Sequence, residues 1–189
     1  MVQNQRNESQ ETYMNNIILI GFMGSGKTSV GRQLAKKLQY SFCDTDELIE
    51  KENKTSVRNI FSAYGEEYFR KLETATISDL YKNMTRTVLS TGGGLPITEG
   101  NDRLLRRLGH VIYLKASQET LMKRLQGDTS RPLLAGENVE EKVYDLLQQR
   151  TPIYEKAAHF SVSTDHKNFN EIIDEIIGLC NIQLDIFCS

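Results

Sequence analysis

The residues Gly21-Phe22-Met23-Gly24-Ser25-Gly26-Lys27-Thr28 match G-x-x-x-x-G-K-[ST] in full, behind the apolar run Ile17-Ile18-Leu19-Ile20 and ahead of an amphipathic stretch. That strand-to-helix setting is the one in which the pattern holds phosphate. The glycines let backbone N–H groups curl around phosphate oxygens, the helix start offers the positive end of its dipole, and the lysine adds a point charge between β- and γ-phosphates. Gly24, Ser25, Gly26, Lys27, Thr28 and Ser29 are therefore expected to bind ATP, with the Thr28 hydroxyl on Mg²⁺. A ligand-free glycine turn is the bland alternative. Motor ATPases, switch GTPases and small-molecule kinases share such a loop, so other residues must choose among them. The run Val88-Leu89-Ser90-Thr91 carries no Asp where a motor places its magnesium carboxylate. No D-x-x-G is present, and Asn53-Lys54-Thr55-Ser56 only imitates the guanine-reading N-K-x-D. A small-molecule kinase fits best.

An acceptor site needs a base and groups that grip the acceptor. Asp44-Thr45-Asp46 follows the second apolar run, at the edge where open α/β sheets bind ligands. Residues two apart share a face while the chain is extended, so Asp44 can hold a magnesium-bound water and Asp46 can take the proton of an attacking hydroxyl. Asp46 as N-cap of a helix over 47–52 is the competing reading. Arg70 stands four residues after Glu66 and three before Glu73, which an exposed helical salt-bridge ladder explains without any function. Arg150, seven residues after Val143 and eleven after Val139, returns to within about 20° of an apolar helical stripe. It either meets a partner there, or snorkels near a helix C-terminus. If Arg70 and Arg150 converge, their forked donors suit a carboxylate. Gly92, Gly93 and Gly94 strip side chains from the end of the third strand, with the Gly93 N–H as the preferred donor and a plain flexible turn as the alternative. Arg131, in a segment bracketed by Gly127 and Gly136, is either a cis arginine finger or a solvated loop arginine. His110, His159 and His166 have no mutual spacing for a metal or triad.

The elements that position these residues follow from hydrophobic periodicity. Short apolar runs alternate with amphipathic stretches, which predicts βαβ units and a parallel sheet. Strands are expected over 17–20, 41–43, 87–90, 111–114 and 160–162, and helices over 27–38, 57–61, 66–81, 103–107, 118–125, 139–149 and 170–179. Asn138 and Glu141 are spaced as a capping box. The 189 residues suit one domain, expected over 16–180 with a lid at 127–137, after a disordered leader or cloning remnant at 1–15 and before a tail at 181–189. With 23 basic against 25 acidic residues, nothing global recruits nucleic acid or an anionic membrane. No apolar run approaches the ~20 residues of a membrane span. Cys43, Cys180 and Cys188 match no zinc spacing and fit reduced thiols of a cytoplasmic protein.

Together the motifs resemble the shikimate kinase family. The match runs through the phosphate loop into Val30-Gly31-Arg32-Gln33-Leu34-Ala35, then Asp44-Thr45-Asp46, Phe69-Arg70-Lys71-Leu72-Glu73, Gly92-Gly93-Gly94, Arg131-Pro132-Leu133-Leu134 and Arg150-Thr151-Pro152-Ile153-Tyr154. The resemblance implies a three-layer P-loop fold of the nucleoside-monophosphate-kinase type, with a five-stranded parallel sheet and a mobile lid. It implies ATP-dependent phosphorylation of the shikimate 3-hydroxyl in chorismate and aromatic amino acid biosynthesis, with Mg²⁺, and a monomer needing no protein partner. On that pattern Lys27 and Arg131 serve the transferring phosphate, Thr28 and (through water) Asp44 the metal, and Asp46 the reacting hydroxyl. Arg70, Arg150 and the Gly93 backbone, in the Gly92-Gly93-Gly94 turn, hold the acceptor's carboxylate; Arg124 and Lys167 lie at adenine. Thr28-Ser29 replaces the commoner Ser-Thr order, and Phe169 stands where Pro is often found. A gluconate or nucleotide kinase, or an ATP-sensing module without transfer, is the runner-up reading.

Overall fold

The computed structural model describes residues 15–126 and 138–181. Its strands are β1 (Ile17–Ile20), β2 (Ser41–Asp44), β3 (Thr87–Ser90), β4 (His110–Lys115) and β5 (Phe160–Ser163). All pair in parallel, in the order β2-β3-β1-β4-β5. The helices are α1 (Lys27–Leu38), α2 (Thr45–Asn53), α3 (Val57–Leu80), α4 (Asn101–Leu108), α5 (Gln118–Leu125), α6 (Val139–Ala157) and α7 (Phe169–Leu179).

The continuous apolar strands of the sequence are explained by burial on both faces. Side chains alternate across a strand. Ile18 and Ile20 of β1 join Val111 and Tyr113 of β4 in one core, and Ile17 and Leu19 join Ile112 and Leu114 in the other. The second core is closed by α1 and α7, through Val30, Leu34, Ile172 and Ile176. A third, smaller core of Ile49, Ile60 and Phe69 lies between α2 and α3, apart from the sheet. Asn16 ties the strand starts together, its amide donating to the carbonyls of Met84 and Leu108 and accepting from Thr87 N–H.

Several expected boundaries shift for physical reasons. The helices expected over 57–61 and 66–81 form one element broken at Gly65, whose φ of 80° and ψ of 175° are non-helical. The helix expected over 139–149 runs on through Pro152 to Ala157, so Arg150 is mid-helix and the C-terminal dipole reading fails. Asn138 makes no capping box. It has φ 60° and no side-chain cap bond, whereas an N-cap needs extended backbone to aim its side chain at the helix. A full capping box forms instead between Asn168 and Glu171 at α7. The segments 1–14, 127–137 (the expected lid with Arg131) and 182–189 lie outside the described residues.

Candidate active site

The phosphate loop leaves β1 and enters α1 with Gly24 at φ 80° and Gly26 at φ 96°, values that glycine adopts without steric penalty. Gly26 caps α1 with no side-chain bond, which leaves the first N–H groups of the helix open to an anion. Lys27, 8% exposed, folds over the loop and donates to the carbonyls of Gly21 at 2.9 Å and Phe22 at 3.0 Å. The Thr28 hydroxyl donates to Asp44 Oδ2 at 3.0 Å. This pair, a hydroxyl from the first turn of α1 and a carboxylate from the end of β2, is the hard-oxygen donor set that Mg²⁺ accepts alongside water and phosphate. Around it opens a cleft of about 720 Å³ lined by Gly24, Lys27, Thr28, Ser29, Asp44, Asp46, Gly93, Arg124 and Lys167 among others.

At the far end of the cleft, Arg124 bridges two loops. One guanidinium nitrogen reaches the carbonyls of Gly24 and Ser25 at 3.4 and 3.3 Å and Thr164 Oγ1 at 3.1 Å, and the other donates to the Thr164 carbonyl. Lys167 pairs with Glu175, and the half-exposed Phe169 ring lines the cleft beside it.

On the acceptor side Asp44, not Asp46, is the N-cap of α2. It is extended at the end of β2, and its Oδ1 accepts from Asp46 N–H at 3.0 Å. Asp46 falls in the first helical turn with its carboxylate released from capping duty. The Arg70 ladder exists as well: its guanidinium contacts Glu66 at 2.7 Å and Glu73 at 2.6 Å. These bonds use three of the five N–H donors a guanidinium carries, and the same side chain lines a cavity of about 330 Å³ with Arg150. Ladder and cavity wall are therefore one feature. Arg150, 8% exposed, lies with its guanidinium carbon 5.9 Å from the centre of the Phe22 ring.

The glycine turn joins the two halves. A Cβ added at Gly93 would sit 3.4 Å from Gly21 O and Met23 N of the phosphate loop. One at Gly94 would strike the Arg70 guanidinium, and one at Gly92 would stand 2.6 Å from both Asp46 Oδ1 and Glu73 Oε1. The Gly92 N–H is already held by Thr45 Oγ1 at 2.8 Å, so Gly92 serves by lacking a side chain and not as a donor. The N–H groups of Gly93 and Gly94 meet no acceptor among the described residues.

Glu73 is a buried neighbour of the site whose environment its ladder spacing concealed. It is fully buried, and its Oε1 has no hydrogen-bond partner among the described residues. Burial pushes its carboxyl up to about 7 against the pull of Arg70, with Asp46 adding to the rise. Arg70 is itself held above its ordinary value despite burial, by Glu73 and Glu66 together. The pair is asymmetric because Arg70 has a second carboxylate partner and Glu73 has no second cation among the described residues.

A family model described as shikimate kinase matches residues 23–181. The chain belongs to the shikimate kinase family. The shikimate kinase of Thermodesulfovibrio yellowstonii is 44% identical over 164 residues, covering 87% of this chain and 94% of that one. Among solved structures, a shikimate kinase from Acinetobacter baumannii in complex with shikimate superposes with a TM-score of 0.84 at 37% identity, over 90% of this chain and 95% of that chain. A gluconokinase from Sinorhizobium meliloti, covering 88% of this chain and 91% of its own, reaches 0.58 at 19% identity. That lower likeness is one of fold alone, and the gluconate alternative loses its ground. As a shikimate kinase family member the chain is an ATP-using enzyme of the phosphotransferase class.

Proposed function

We propose that this chain transfers the γ-phosphoryl group of ATP to the 3-hydroxyl of shikimate, yielding shikimate 3-phosphate and ADP, with the roles assigned as follows. Lys27 and the open N–H groups at the start of α1 hold the phosphates. Thr28, and Asp44 through water, hold Mg²⁺, which when bound neutralises charge between the β- and γ-phosphates. Asp46 accepts the hydroxyl proton. Arg70, Arg150 and the Gly93 N–H grip the shikimate carboxylate, and Arg124 and Lys167 flank the adenine. Arg131 is assigned to the transferring phosphate on the family pattern alone. The reading includes a cytoplasmic monomer; no helix among the described residues is long and apolar enough to cross a membrane.

The observation that carries this reading is the glycine turn, which touches the phosphate loop at Gly93 and underlies the Arg70 guanidinium at Gly94. A carboxylate held there leaves the rest of a small acceptor between Asp46 and the phosphates. The test is a coupled assay of ADP release with shikimate and with its methyl ester, for the parent, Arg70→Ala and Arg150→Ala. Each substitution should raise the shikimate KM by about 2 to 4 kcal/mol equivalent and change the ester little. An ester used as well as shikimate would sink the clamp.

A further inference from the structure

We propose that Tyr154 is a positioning residue of the acceptor site, its hydroxyl fixing the Gly93–Gly94 peptide next to the Gly93 N–H donor, so that the glycine turn and the neighbouring Arg150 engage the acceptor's carboxylate together. The inference rests on the acceptor-site reading above. Tyr154 is 0% exposed, so it touches no acceptor and acts only through its neighbours. Its hydroxyl donates to the Gly93 carbonyl at 2.6 Å and feels the positive charge of Arg150, one turn earlier on α6. The guanidinium charge beside the phenol strengthens the bond that the phenol donates to the peptide.

A run of three glycines has more backbone freedom than any other tripeptide, so its N–H groups point one way only if something outside the turn fixes the peptide planes. Thr45 fixes the Thr91–Gly92 plane through the Gly92 N–H. Leu95 N–H donates back to the Gly92 carbonyl at 3.1 Å and fixes the next. Tyr154 fixes the third. In a trans peptide the carbonyl and the following N–H point in opposite directions, so drawing the Gly93 carbonyl to Tyr154 turns the Gly94 N–H to the other side of the turn. The phenol is well braced: its ring packs on Tyr113 of β4 at 5.2 Å between centres. Burial raises its pKa to about 12, so the hydroxyl remains a donor at any working pH.

The test is Tyr154→Phe in the full chain, which keeps the ring against Tyr113 and removes only the hydroxyl. The shikimate KM, and the Kd from isothermal titration, should rise about 5- to 20-fold, the loss expected from one buried charge-linked hydrogen bond. The KM for ATP and the kcat at saturating shikimate should change by no more than about 2-fold, and preference for shikimate over its methyl ester should fall by the same factor as affinity. A purely structural role would lower melting temperature and the active fraction, acting on both acceptors alike. Titration separates these, because misfolded protein lowers the stoichiometry and leaves the Kd of the folded remainder unchanged. A parental Kd in the variant, or equal losses for acid and ester, overturns the proposal. A parent enzyme that leaves shikimate unphosphorylated overturns the acceptor reading itself, and this inference with it.

Discussion

Alanine at Gly92 would press on the reaction centre without straining the backbone, since Gly92 is not among the positive-φ residues. The new methyl carbon would stand 2.6 Å from Asp46 Oδ1 and from Glu73 Oε1, where ordinary contact begins at 3.4 Å. Something must therefore move by about 0.8 Å, the difference between those two distances. Glu73 cannot retreat, being buried and gripped through Oε2 by Arg70. Asp46, half-buried in the first turn of α2, yields instead. A misplacement near 1 Å costs on the order of 100-fold in rate, so kcat should fall about 30- to 100-fold, or roughly 2 to 3 kcal/mol of barrier. The shikimate KM should rise less than about 3-fold, because the arginines stay in place. Gly94→Ala should do the reverse, since its methyl collides with Arg70 Nη1 and Cζ at 2.1 and 2.3 Å: KM rises at least about 10-fold and kcat changes little. Gly178→Ala, a helical position with nothing within 4 Å, serves as control and should stabilise the chain by about 0.5 to 1 kcal/mol. Steady-state kinetics in both substrates decide the matter. A Gly92→Ala enzyme with parental kcat, or the same kinetic parameter changed in both turn variants, would refute the division between Asp46 and Arg70.

Two further substitutions probe the carboxylates. Asp44→Asn retains the oxygen that caps α2 but loses the charge expected at the metal, so its melting temperature should stay near the parent's while its Mg²⁺ requirement rises and high Mg²⁺ restores part of the rate; Asp44→Ala should also lose about 0.5 to 2 kcal/mol of stability with the cap. An unchanged Mg²⁺ titration in Asp44→Asn would remove Asp44 from the metal's shell. Glu73, lifted from 4.5 to about 7 by burial, keeps its proton in the folded chain after the unfolded chain has released it. Its contribution to stability is thus complete below about pH 4.5 and lost as pH climbs through about 7, a swing of roughly 3 kcal/mol. Glu73→Gln, which cannot ionise, should gain on the parent by that amount between about pH 4 and pH 8 in urea unfolding. Parallel curves would mean that folding leaves the Glu73 carboxyl at its ordinary value.

The parallel sheet was legible because runs such as Ile17-Ile18-Leu19-Ile20 are too short for helices and too uniformly apolar for a half-solvated strand. The phosphate loop was legible because one unbroken octapeptide contains its whole mechanism. Arg150 declared itself by lying on an apolar stripe, although its helix was ended too early; Pro152 reads as a stop in sequence, and the packing of Tyr154 and Ala157 carries the helix past it. Asp44 and Asp46 exchanged capping roles because only the end of β2 decides which residue is last in extended conformation. Arg70 was legible as a candidate clamp, but the burial of its partner Glu73 was not: i, i+3 spacing is the same for a solvated ladder and a buried pair, and burial is a property of what packs above. The i, i+4 spacing of Arg150 and Tyr154 offered a signal that the two share a face, but the partner carbonyl at Gly93 lies 61 residues away.

The small core of Ile49, Ile60 and Phe69 beneath α2 and α3 stands apart from the two cores that hold the sheet. Its separateness makes the acceptor half a module with its own fitness landscape. Mutations confined to Ile49, Ile60 and Phe69 would reshape this half while sparing the sheet, whereas Ile77 of α3 belongs to a core of the sheet itself. The linkage to the rest of the fold runs through the turn of three glycines, the Thr45 bond to it, the Arg32–Glu47 pair, the Thr74–Asn101 bond and that same Ile77, so a laboratory graft of residues 45–80 from a kinase of different acceptor preference would have to match each of those contacts.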